Sequence, residues 1–290
     1  MSAPAKHWPS RHPCRGGLVL QVVMQDSIPV RPLSTLTPYV GGKRGLAATI
    51  IERIEAIPHT LYAEPFVGAG GVFLRRRFAP KTEVINDLSR DVATFFRILQ
   101  RHYVPFMDLL KFQLTMRSEF ERLVATDPDT LTDLERAARF LYLQRTAFGG
   151  KVAGRNFGVV TDGPARFDIT RLGVLLEAVH TRLAAVIIER LPWHDFLKRY
   201  DRPNALFYLD PPYYGTEHFY GRDLFERGQY ELMADALATL QGRFILSLND
   251  VPKVRHIFRG FDIASVETTY TLAGGDNSKR VGEVIITRKS

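Results

Sequence analysis

Short apolar runs alternate along the chain with segments whose apolar residues recur at helical spacing. Strands are predicted for TLYAEPF (60–66), TEVIND (82–87), AVIIERL (185–191), NALFYLD (204–210), GRFILSLN (242–249), FDIASVETTY (261–270) and EVIITR (283–288). Helices are predicted for AATIIERIEAI (47–57), DVATFFRILQ (91–100) and ELMADALATLQ (231–241), and a further helix is expected to open at GVFLRRRF (71–78). Strands that alternate with helices indicate an α/β fold. The last strands follow each other closely, which favours antiparallel pairing there.

The character of the chain changes between residues 102 and 183. Helical patterns dominate in FMDLLKFQLTMRSEFERLV (106–124), LTDLERAARFLYLQRTAF (131–148) and ITRLGVLLEAVHTRLA (169–184), and the Gly-rich basic stretch FGGKVAGRNFGVV (148–160) lies between them. We interpret residues 102–183 as a mostly helical insert with a loop or hairpin. The α/β domain then comprises residues 34–101 and 184–290, and residues 1–33 are expected to form a disordered or loosely attached tail.

Composition narrows the class of protein. The 290 residues carry a net charge of +8, which favours an anionic partner and, first among these, nucleic acid. The single cysteine, Cys14, excludes an internal disulfide framework and a cysteine-based zinc site, and it fits a reducing cytoplasm. No apolar stretch is long enough to span a membrane. The eight histidines show no metal-ligand spacing with Asp or Glu, so no metal is expected, and we expect a monomer.

A glycine-rich segment, FVGAGG (66–71), follows the first predicted strand. Its glycines allow a tight turn and a close approach of the backbone to a ligand, although a simple strand-to-helix turn would use them too. Asp87 lies 19 residues after Gly68, at the end of the next strand, where an acid commonly accepts hydrogen bonds from a ribose. Because no phosphate-gripping GK[ST] pattern occurs, a nucleoside such as S-adenosylmethionine suits the layout.

The string DPPY (210–213) ends another predicted strand. Each proline locks its own φ angle and lacks a backbone N–H group, and a residue before proline is pushed to extended conformations. Asp210 is therefore expected at the strand end, with Tyr213 held at a set distance from it. An ordinary turn after a core strand would also account for this string when it is considered alone.

Three motifs now stand in order: PYVGGK (38–43), FVGAGG with Asp87, and DPPY. In this order the sequence resembles the Dam-like DNA adenine-N6 methyltransferases, over about residues 37–289. The stretches TAFGGK, RYDRPNALFYLDPPY and LSLND resemble a phage- and prophage-associated branch of that family. The resemblance implies a doubly wound S-adenosylmethionine-dependent methyltransferase sheet. It also implies that the helical insert recognises the DNA target.

The resemblance implies a catalytic role for Asp210, Pro211, Pro212 and Tyr213. The exocyclic amine of adenine is a poor nucleophile because its lone pair is delocalised into the ring. The Asp210 carboxylate would accept a hydrogen bond from one N–H group of the amine, and the Pro211 carbonyl would accept one from the other. The prolines would fix the position of that carbonyl. Tyr213 would stack on a target base that has left the duplex.

The resemblance also implies a set of cofactor-binding residues: Tyr39, Lys43, Phe66, Gly68, Gly70, Asp87, Glu189 and Asp210. Tyr39 and Lys43 would close the pocket, with Lys43 meeting the methionine carboxylate of the cofactor or a nearby acid. Asp87 would hold the ribose. Glu189 stands where the family has a further polar strand-end residue, but Asp195 is a rival for that position.

The insert is where DNA would be contacted, and its candidate residues are Arg145, Lys151, Arg155 and Asn156; Tyr214, just after DPPY, is a fifth candidate. Arg and Asn commonly read base edges, whereas Lys and Arg also bind phosphate without reading sequence. Tyr214, together with His218 and Tyr220, would cover the flipped base or contact the DNA strand, with loop packing as an equal alternative.

Four functions remain open from the sequence. The first is N6 methylation of adenine in duplex DNA, in which S-adenosylmethionine donates the methyl group. Cytosine-N4 methylation would use a similar pocket, but Asp rather than Ser at position 210 favours adenine. A catalytically idle DNA-binding relative is opposed by the intact DPPY string. The helical insert and the net basic charge of the chain favour DNA over methylation of protein or RNA, although charge does not exclude RNA.

Overall fold

A computed structural model of the chain describes residues 27–39, 43, 45–150, 152, 154–159, 163, 165–217, 225–271 and 278–289. Its strands are β1 (Ile28–Pro29), β2 (Leu61–Glu64), β3 (Phe78–Ala79), β4 (Thr82–Asn86), β5 (Ile187–Glu189), β6 (Ala205–Leu209), β7 (Arg243–Asn249), β8 (Asp262–Thr271) and β9 (Ser278–Thr287). Its α-helices are α1 (Ala47–Glu55), α2 (Arg90–Arg101), α3 (Tyr103–Leu110), α4 (Arg117–Ala125), α5 (Asp133–Thr146), α6 (Ile169–Leu183), α7 (Trp193–Tyr200), α8 (Gln229–Thr239) and α9 (Pro252–Ile257).

A mostly parallel sheet forms the centre of the described structure. Seven strands lie in the order β5-β4-β2-β6-β7-β9-β8. The neighbours from β5 to β7 pair in parallel, whereas β9 pairs antiparallel with both β7 and β8. The α/β class and the antiparallel pairing of the last strands are therefore confirmed. The chain order reverses between β2 and β6, which is where parallel sheets open a crevice for ligands.

Helices cover both faces of this sheet. Side chains alternate along each strand between two hydrophobic cores, with Tyr62, Ile85, Leu206, Ile245 and Ile285 in one and Ala63, Val84, Phe207, Leu246 and Val284 in the other. The first core is completed by α1 to α6 and the second by α7 to α9. Because both faces are buried, the strands are almost continuously apolar, which is why they are visible in the sequence.

The prediction that a helix opens at GVFLRRRF is wrong. A single 3₁₀ turn, Phe73–Arg75, is followed by Arg76 in extended conformation with ψ of 147°. Arg76 is only 1% exposed, and its guanidinium lies 3.6 Å from the centre of the Tyr62 ring. The extended backbone carries this charged side chain into the interior, where it pairs with Glu83. A buried ion pair thus outweighs the helical pattern of the segment.

Residues 102–183 fold as helices α3 to α6 between β4 and β5. The run FMDLLKFQLTMRSEFERLV divides into α3 and α4, and α5 begins with a capping box in which Thr132 and Glu135 satisfy each other's backbone N–H groups. Arg136 of α5 pairs with Asp91 of α2 at 2.9 Å. The helices therefore pack directly on the α/β body. No helix among the described residues has the length and apolar character needed to cross a membrane.

Residues 27–33 pack on the α/β body, although the sequence places them in the tail. Strand β1 pairs antiparallel with β3, and the N–H group of Leu33 donates to the carbonyl of Leu74 at 2.7 Å. Leu33 is 7% exposed, so this segment contributes to the first core. The preceding residues, 1–26, lie outside the described residues.

A buried ion network joins β4 to the insert, and its loss should be costly. The Glu83 carboxylate accepts from Arg76 at 2.7 Å and from Arg182 of α6 at 2.6 and 2.7 Å. We expect Glu83→Gln to lower the free energy of unfolding by about 3 kcal/mol, because two buried guanidinium groups lose their counter-charge. Urea denaturation would measure this. Glu119→Gln, which breaks an exposed pair with Arg122, should cost less than about 1 kcal/mol, and equal losses in the two variants would contradict the prediction.

Candidate active site

A cavity that is partly open to solvent lies at the carboxyl ends of β2, β4 and β6. Three carboxyl groups line it, one at the end of each strand: Glu64, Asp87 and Asp210. The site therefore forms where the strand order reverses, as expected for an open parallel sheet. Six of the predicted cofactor-binding residues line the cavity, namely Tyr39, Lys43, Phe66, Gly68, Asp87 and Asp210.

The glycine-rich turn brings its backbone against Asp87. Gly68 has a φ of +51°, which favours glycine, and a Cβ atom there would lie 3.3 Å from the ring of Tyr39. The N–H groups of Gly68 and Ser89 donate to the two oxygens of Asp87 at 3.0 and 2.9 Å. Burial nevertheless raises the pKa of Asp87 to about 6. The carboxylate is thus fixed in the cavity wall by the loops after β2 and β4.

Asn86 ties together the loops that follow three neighbouring strands. Its side-chain amide donates to the carbonyls of Pro65 and Leu191 at 2.8 and 3.0 Å. Its side-chain oxygen accepts from the N–H group of Leu191 at 2.7 Å. Asn86 is 1% exposed, so these bonds are shielded from water. They hold the cavity rim in place.

Lys43 is the centre of a buried cluster beside the DPPY string. Its ammonium group lies 2.8 Å from Oδ1 of Asp210 and 3.1 Å from Oε2 of Glu283. It also donates to the hydroxyl of Tyr213 and lies 4.3 Å from the centre of that ring. Lys43 is 3% exposed and Glu283 is 0% exposed. The sequence allowed Lys43 to meet a nearby acid, and the structure shows two.

Side chains of β7 and α8 fix the DPPY loop. Ser247 donates to Oδ1 of Asp210 at 3.1 Å. The amide of Asn249 accepts from the N–H group of Tyr214 at 2.9 Å and donates to its carbonyl at 3.0 Å. The hydroxyl of Tyr230 donates to the carbonyl of Pro212 at 2.8 Å. Asp210 and the residues after it are therefore held by bonds from outside the loop.

Burial raises the pKa of Asp210 to about 6, although Lys43 acts in the opposite direction. The carboxyl is therefore ionised at neutral pH. It faces the cavity, with its side chain 20% exposed. A carboxylate in this position can accept a proton or a hydrogen bond from a ligand amine.

Glu64 is a cavity residue that the sequence reading missed. It is 2% exposed, and the hydroxyl of Tyr62 donates to its Oε1 at 2.6 Å. Burial raises the pKa of Glu64 to about 8, so it carries a proton at neutral pH. The available signal was the Glu64-Pro65 pair at a strand end, which repeats the form of Asp210-Pro211.

Two predicted cofactor residues are not among those that line the cavity. Gly70 has a φ of +73° and packs on Leu74, so it shapes the turn from behind. Glu189 accepts from the hydroxyl of Tyr200 at 2.7 Å and lies 3.6 Å from Arg199. Its rival, Asp195, has a 54% exposed side chain and is also outside the lining. Of the prolines after Asp210, Pro212 lines the cavity.

Two arginines predicted to contact DNA bind within the protein. Arg145 donates to the carbonyl of Leu36 at 2.8 Å. Arg155 donates to the side-chain oxygen of Gln144 at 3.1 Å, and the amide of Gln144 donates to the carbonyl of Pro38 at 3.4 Å. Burial lowers the pKa of Arg155 to about 10. These contacts join α5 and the loop after it to the segment that leads to Tyr39 in the cavity.

The other DNA candidates are placed as follows. Asn156 is exposed, and its carbonyl accepts from the N–H group of Phe148 at 2.8 Å. Tyr214 is partly buried, with its ring centre 5.3 Å from that of Tyr230. Lys151, His218 and Tyr220 lie outside the described residues. The contact of all these candidates with DNA stays a prediction.

Within the described part of the chain, no group of three or more His, Cys, Asp or Glu side chains could hold a metal ion.

Asp210 and Pro212 of the Asp-Pro-Pro-Tyr strand end thus line a cavity at the carboxyl ends of the parallel strands. A family model described as D12 class N6 adenine-specific DNA methyltransferase matches residues 39–272. The chain belongs to this family. It is therefore a DNA N6-adenine methyltransferase, and the family implies S-adenosylmethionine as cofactor and DNA as substrate.

Curated relatives agree with this assignment. The chain is 26% identical over 287 residues to a Type II methyltransferase of Lactococcus lactis subsp. cremoris, covering 92% of this chain and 99% of that protein. It is 24% identical over 248 residues to a DNA adenine methylase of Haemophilus influenzae, covering 77% and 82%. A DNA N-6-adenine-methyltransferase of Escherichia phage P1 is 31% identical over 122 residues, covering 39% and 15%. The cytosine-N4 alternative is not favoured.

Proposed function

We propose that this enzyme methylates N6 of an adenine that has left duplex DNA, and that Asp210, Pro211, Pro212 and Tyr213 form the reaction site. The observation that carries the proposal is the buried cluster at the end of β6. There, an ionised carboxylate faces the cavity and is held by Lys43 and Ser247. Such a fixed acceptor suits an amine that must lose an N–H proton during the reaction.

The charge of the cavity supports S-adenosylmethionine as the ligand. The ionised carboxylates of Asp87 and Asp210 line the cavity together with Glu64, which can ionise when a cation binds, and this favours a cationic sulfonium over a phosphate-bearing nucleotide. When bound, the cofactor supplies an electrophilic methyl group. Asp87, which lines the cavity at the end of β4, would accept hydrogen bonds from the ribose hydroxyls. Tyr39 packs over Gly68 and would close the nucleoside end.

At the target amine, Asp210 accepts a hydrogen bond from one N–H group and the Pro211 carbonyl accepts a hydrogen bond from the other. This arrangement restores lone-pair density on the nitrogen and aligns it for displacement. Asp210 is also suited to hold the proton that the amine loses, because its pKa is about 6. Tyr213 offers its ring face to the flipped base, while its hydroxyl is held by Lys43.

The domain boundaries and the recognition role of the insert belong to the same proposal. Residues 34–101 and 184–290 would form the catalytic domain, and residues 102–183 would contact DNA. Asn156 is exposed and available to a base or phosphate. Arg145 and Arg155 would support the loop from beneath, since their guanidinium groups contact Leu36 and Gln144.

Binding of the cofactor should release protons near neutral pH. Glu64, with a pKa of about 8, is protonated when the cavity is empty, and a sulfonium cation nearby would favour its ionised form. The cofactor affinity should therefore rise with pH between about 6 and 8. Titration calorimetry in buffers of different ionisation enthalpy would count the protons.

Two controls make the proton count specific. S-adenosylhomocysteine, a neutral thioether with the same amino-acid part, should release fewer protons than S-adenosylmethionine. Glu64→Gln should remove most of the release, because the amide that replaces the carboxyl group cannot ionise. Equal release with both ligands, or an unchanged count in the variant, would show that these carboxyl groups do not face the sulfonium.

Nucleoside analysis tests the proposed function directly. Purified enzyme and isotopically labelled S-adenosylmethionine are incubated with plasmid DNA from a host without adenine methylation. The DNA is then digested to nucleosides, and the labelled nucleosides are identified by mass. We expect label in N6-methyladenine and none in N4-methylcytosine. Label in cytosine, or in added RNA but not in DNA, would contradict the proposal.

A further inference from the structure

The carboxylate of Glu283 reaches the Asp210 cluster from the last strand of the sheet. Glu283 lies in β9, and its Oε2 is 3.1 Å from the ammonium of Lys43. That ammonium carries three protons, and the acceptors around it are Glu283, Asp210 and the hydroxyl of Tyr213. Glu283 does not touch the DPPY loop through any of these bonds. Within this set of bonds, Glu283 is linked to the loop through Lys43.

We propose that Glu283 is a positioning residue for methyl transfer, acting through Lys43 on Asp210 and Tyr213. This inference rests on the proposed function. A buried ammonium between two carboxylates is drawn toward both, so Glu283 keeps Lys43 from pairing with Asp210 alone. Asp210 thereby retains acceptor strength for the amine of adenine. The same anchoring holds the hydroxyl that Tyr213 presents to Lys43, and with it the ring that meets the base.

The position of Glu283 is well fixed for such a role. It is 0% exposed and stands opposite Asn249 in the β7–β9 register. Next to it, the carbonyl of Gly282 accepts from the N–H group of Asp250 at 2.8 Å. Asn249 in turn holds the backbone of Tyr214. One pair of strands therefore supports the loop from two directions: Asn249 through the backbone and Glu283 through Lys43.

The charges of Lys43 and Glu283 should have opposite effects on the pKa of Asp210. Asp210 is faced by Lys43 before α1, Glu64 at the end of β2, Tyr208 in β6, Ser247 in β7 and Glu283 in β9. Burial is the main cause of its raised pKa, Lys43 lowers that pKa, and Glu283 raises it. Removal of the Glu283 charge should therefore lower the pKa of Asp210. Removal of the Lys43 charge should raise it.

The test is a pH series of single-turnover methylation at saturating DNA and cofactor, with wild type and Asp210→Asn as references. We expect Glu283→Gln to slow methyl transfer at least about tenfold and to move the acidic limb of the rate profile to lower pH. Lys43→Met should move that limb to higher pH. In the double variant, Glu283→Gln should add no further rate loss to Lys43→Met, because its positioning effect passes through the lysine, whereas its direct charge effect on Asp210 should still move the acidic limb to lower pH.

Two variants separate positioning from a loss of folding. Glu283→Asp keeps the charge, so its acidic limb should stay near that of wild type even where its rate falls, and it carries the test if Glu283→Gln does not fold. Glu55→Gln removes another buried carboxylate, which pairs with Arg77 outside the cavity, and should change neither rate nor profile.

The inference is overturned by a wild-type rate and profile in Glu283→Gln, or by losses that add in full in the double variant. If Glu283→Gln does not fold, an acidic limb displaced in Glu283→Asp overturns it as well. Failure of wild type itself to methylate adenine would instead refute the proposed function, and the inference with it.

Discussion

Replacement of Asp210 by asparagine is expected to reduce the single-turnover rate of adenine methylation about 10³-fold. In the proposed reaction the carboxylate accepts a hydrogen bond from the amine and stabilises the positive charge that develops there, and a neutral amide would do both poorly. The variant keeps the shape of the side chain, so the cavity should still bind S-adenosylmethionine within about tenfold of the wild-type affinity. Rapid-quench assays with labelled cofactor would measure the rate, and equilibrium dialysis would measure the affinity.

A matched control is available for the Asp210 variant. Asp195→Asn removes one carboxylate of α7, whose side chain is 54% exposed and lies outside the cavity lining. Its rate should equal that of wild type. If Asp210→Asn lost only cofactor binding and kept its rate at saturation, the carboxylate would be a ligand for the cofactor and not an acceptor for the amine.

Replacement of Asp87 by alanine is expected to raise the dissociation constant for S-adenosylmethionine about 100-fold. Two charge-assisted hydrogen bonds to the ribose would be lost. The variant also frees the N–H groups of Gly68 and Ser89, which Asp87 holds at 3.0 and 2.9 Å, so the turn that borders the ligand would loosen. The methylation rate at saturating cofactor should fall far less than the affinity.

Glu189→Gln serves as the comparison for Asp87. Both residues were expected to bind the cofactor, but Glu189 contacts Tyr200 and lies outside the cavity lining. We expect its cofactor affinity to stay within about twofold of wild type. A large loss in Glu189→Gln with little change in Asp87→Ala would reverse the assignment of the ribose position.

The parallel part of the fold was predictable because its strands are buried on both faces. The runs around Tyr62, Ile85, Phe207 and Leu246 are almost wholly apolar, and each ends at a polar residue or a turn. The segment around Arg76 was not predictable in the same way. Its helical spacing is real, but its conformation is decided by Glu83, which pairs with Arg76 only in the folded chain.

The site was predictable where its residues follow strands, as at Asp87 and Asp210. Glu64 was missed because a pattern of apolar positions shows only that an acid ends a strand. It does not show whether that acid is buried or lines a cavity. Glu283 and Ser247 were missed because their contacts depend on strand pairing, and 240 residues separate Glu283 from Lys43. Arg145 illustrates the opposite limit: its type suits DNA, but its guanidinium contacts the carbonyl of Leu36.

The most direct test of the central claim is long-read sequencing of DNA from cells that express this enzyme in a host without adenine methylation. A parallel culture expresses Asp210→Asn at the same level. We expect N6-methyladenine in a recurring sequence context with wild type and none with the variant. That result would establish the base, the need for Asp210 and the recognised sequence together. Methyladenine in both cultures, or modified cytosine in place of adenine, would contradict the account.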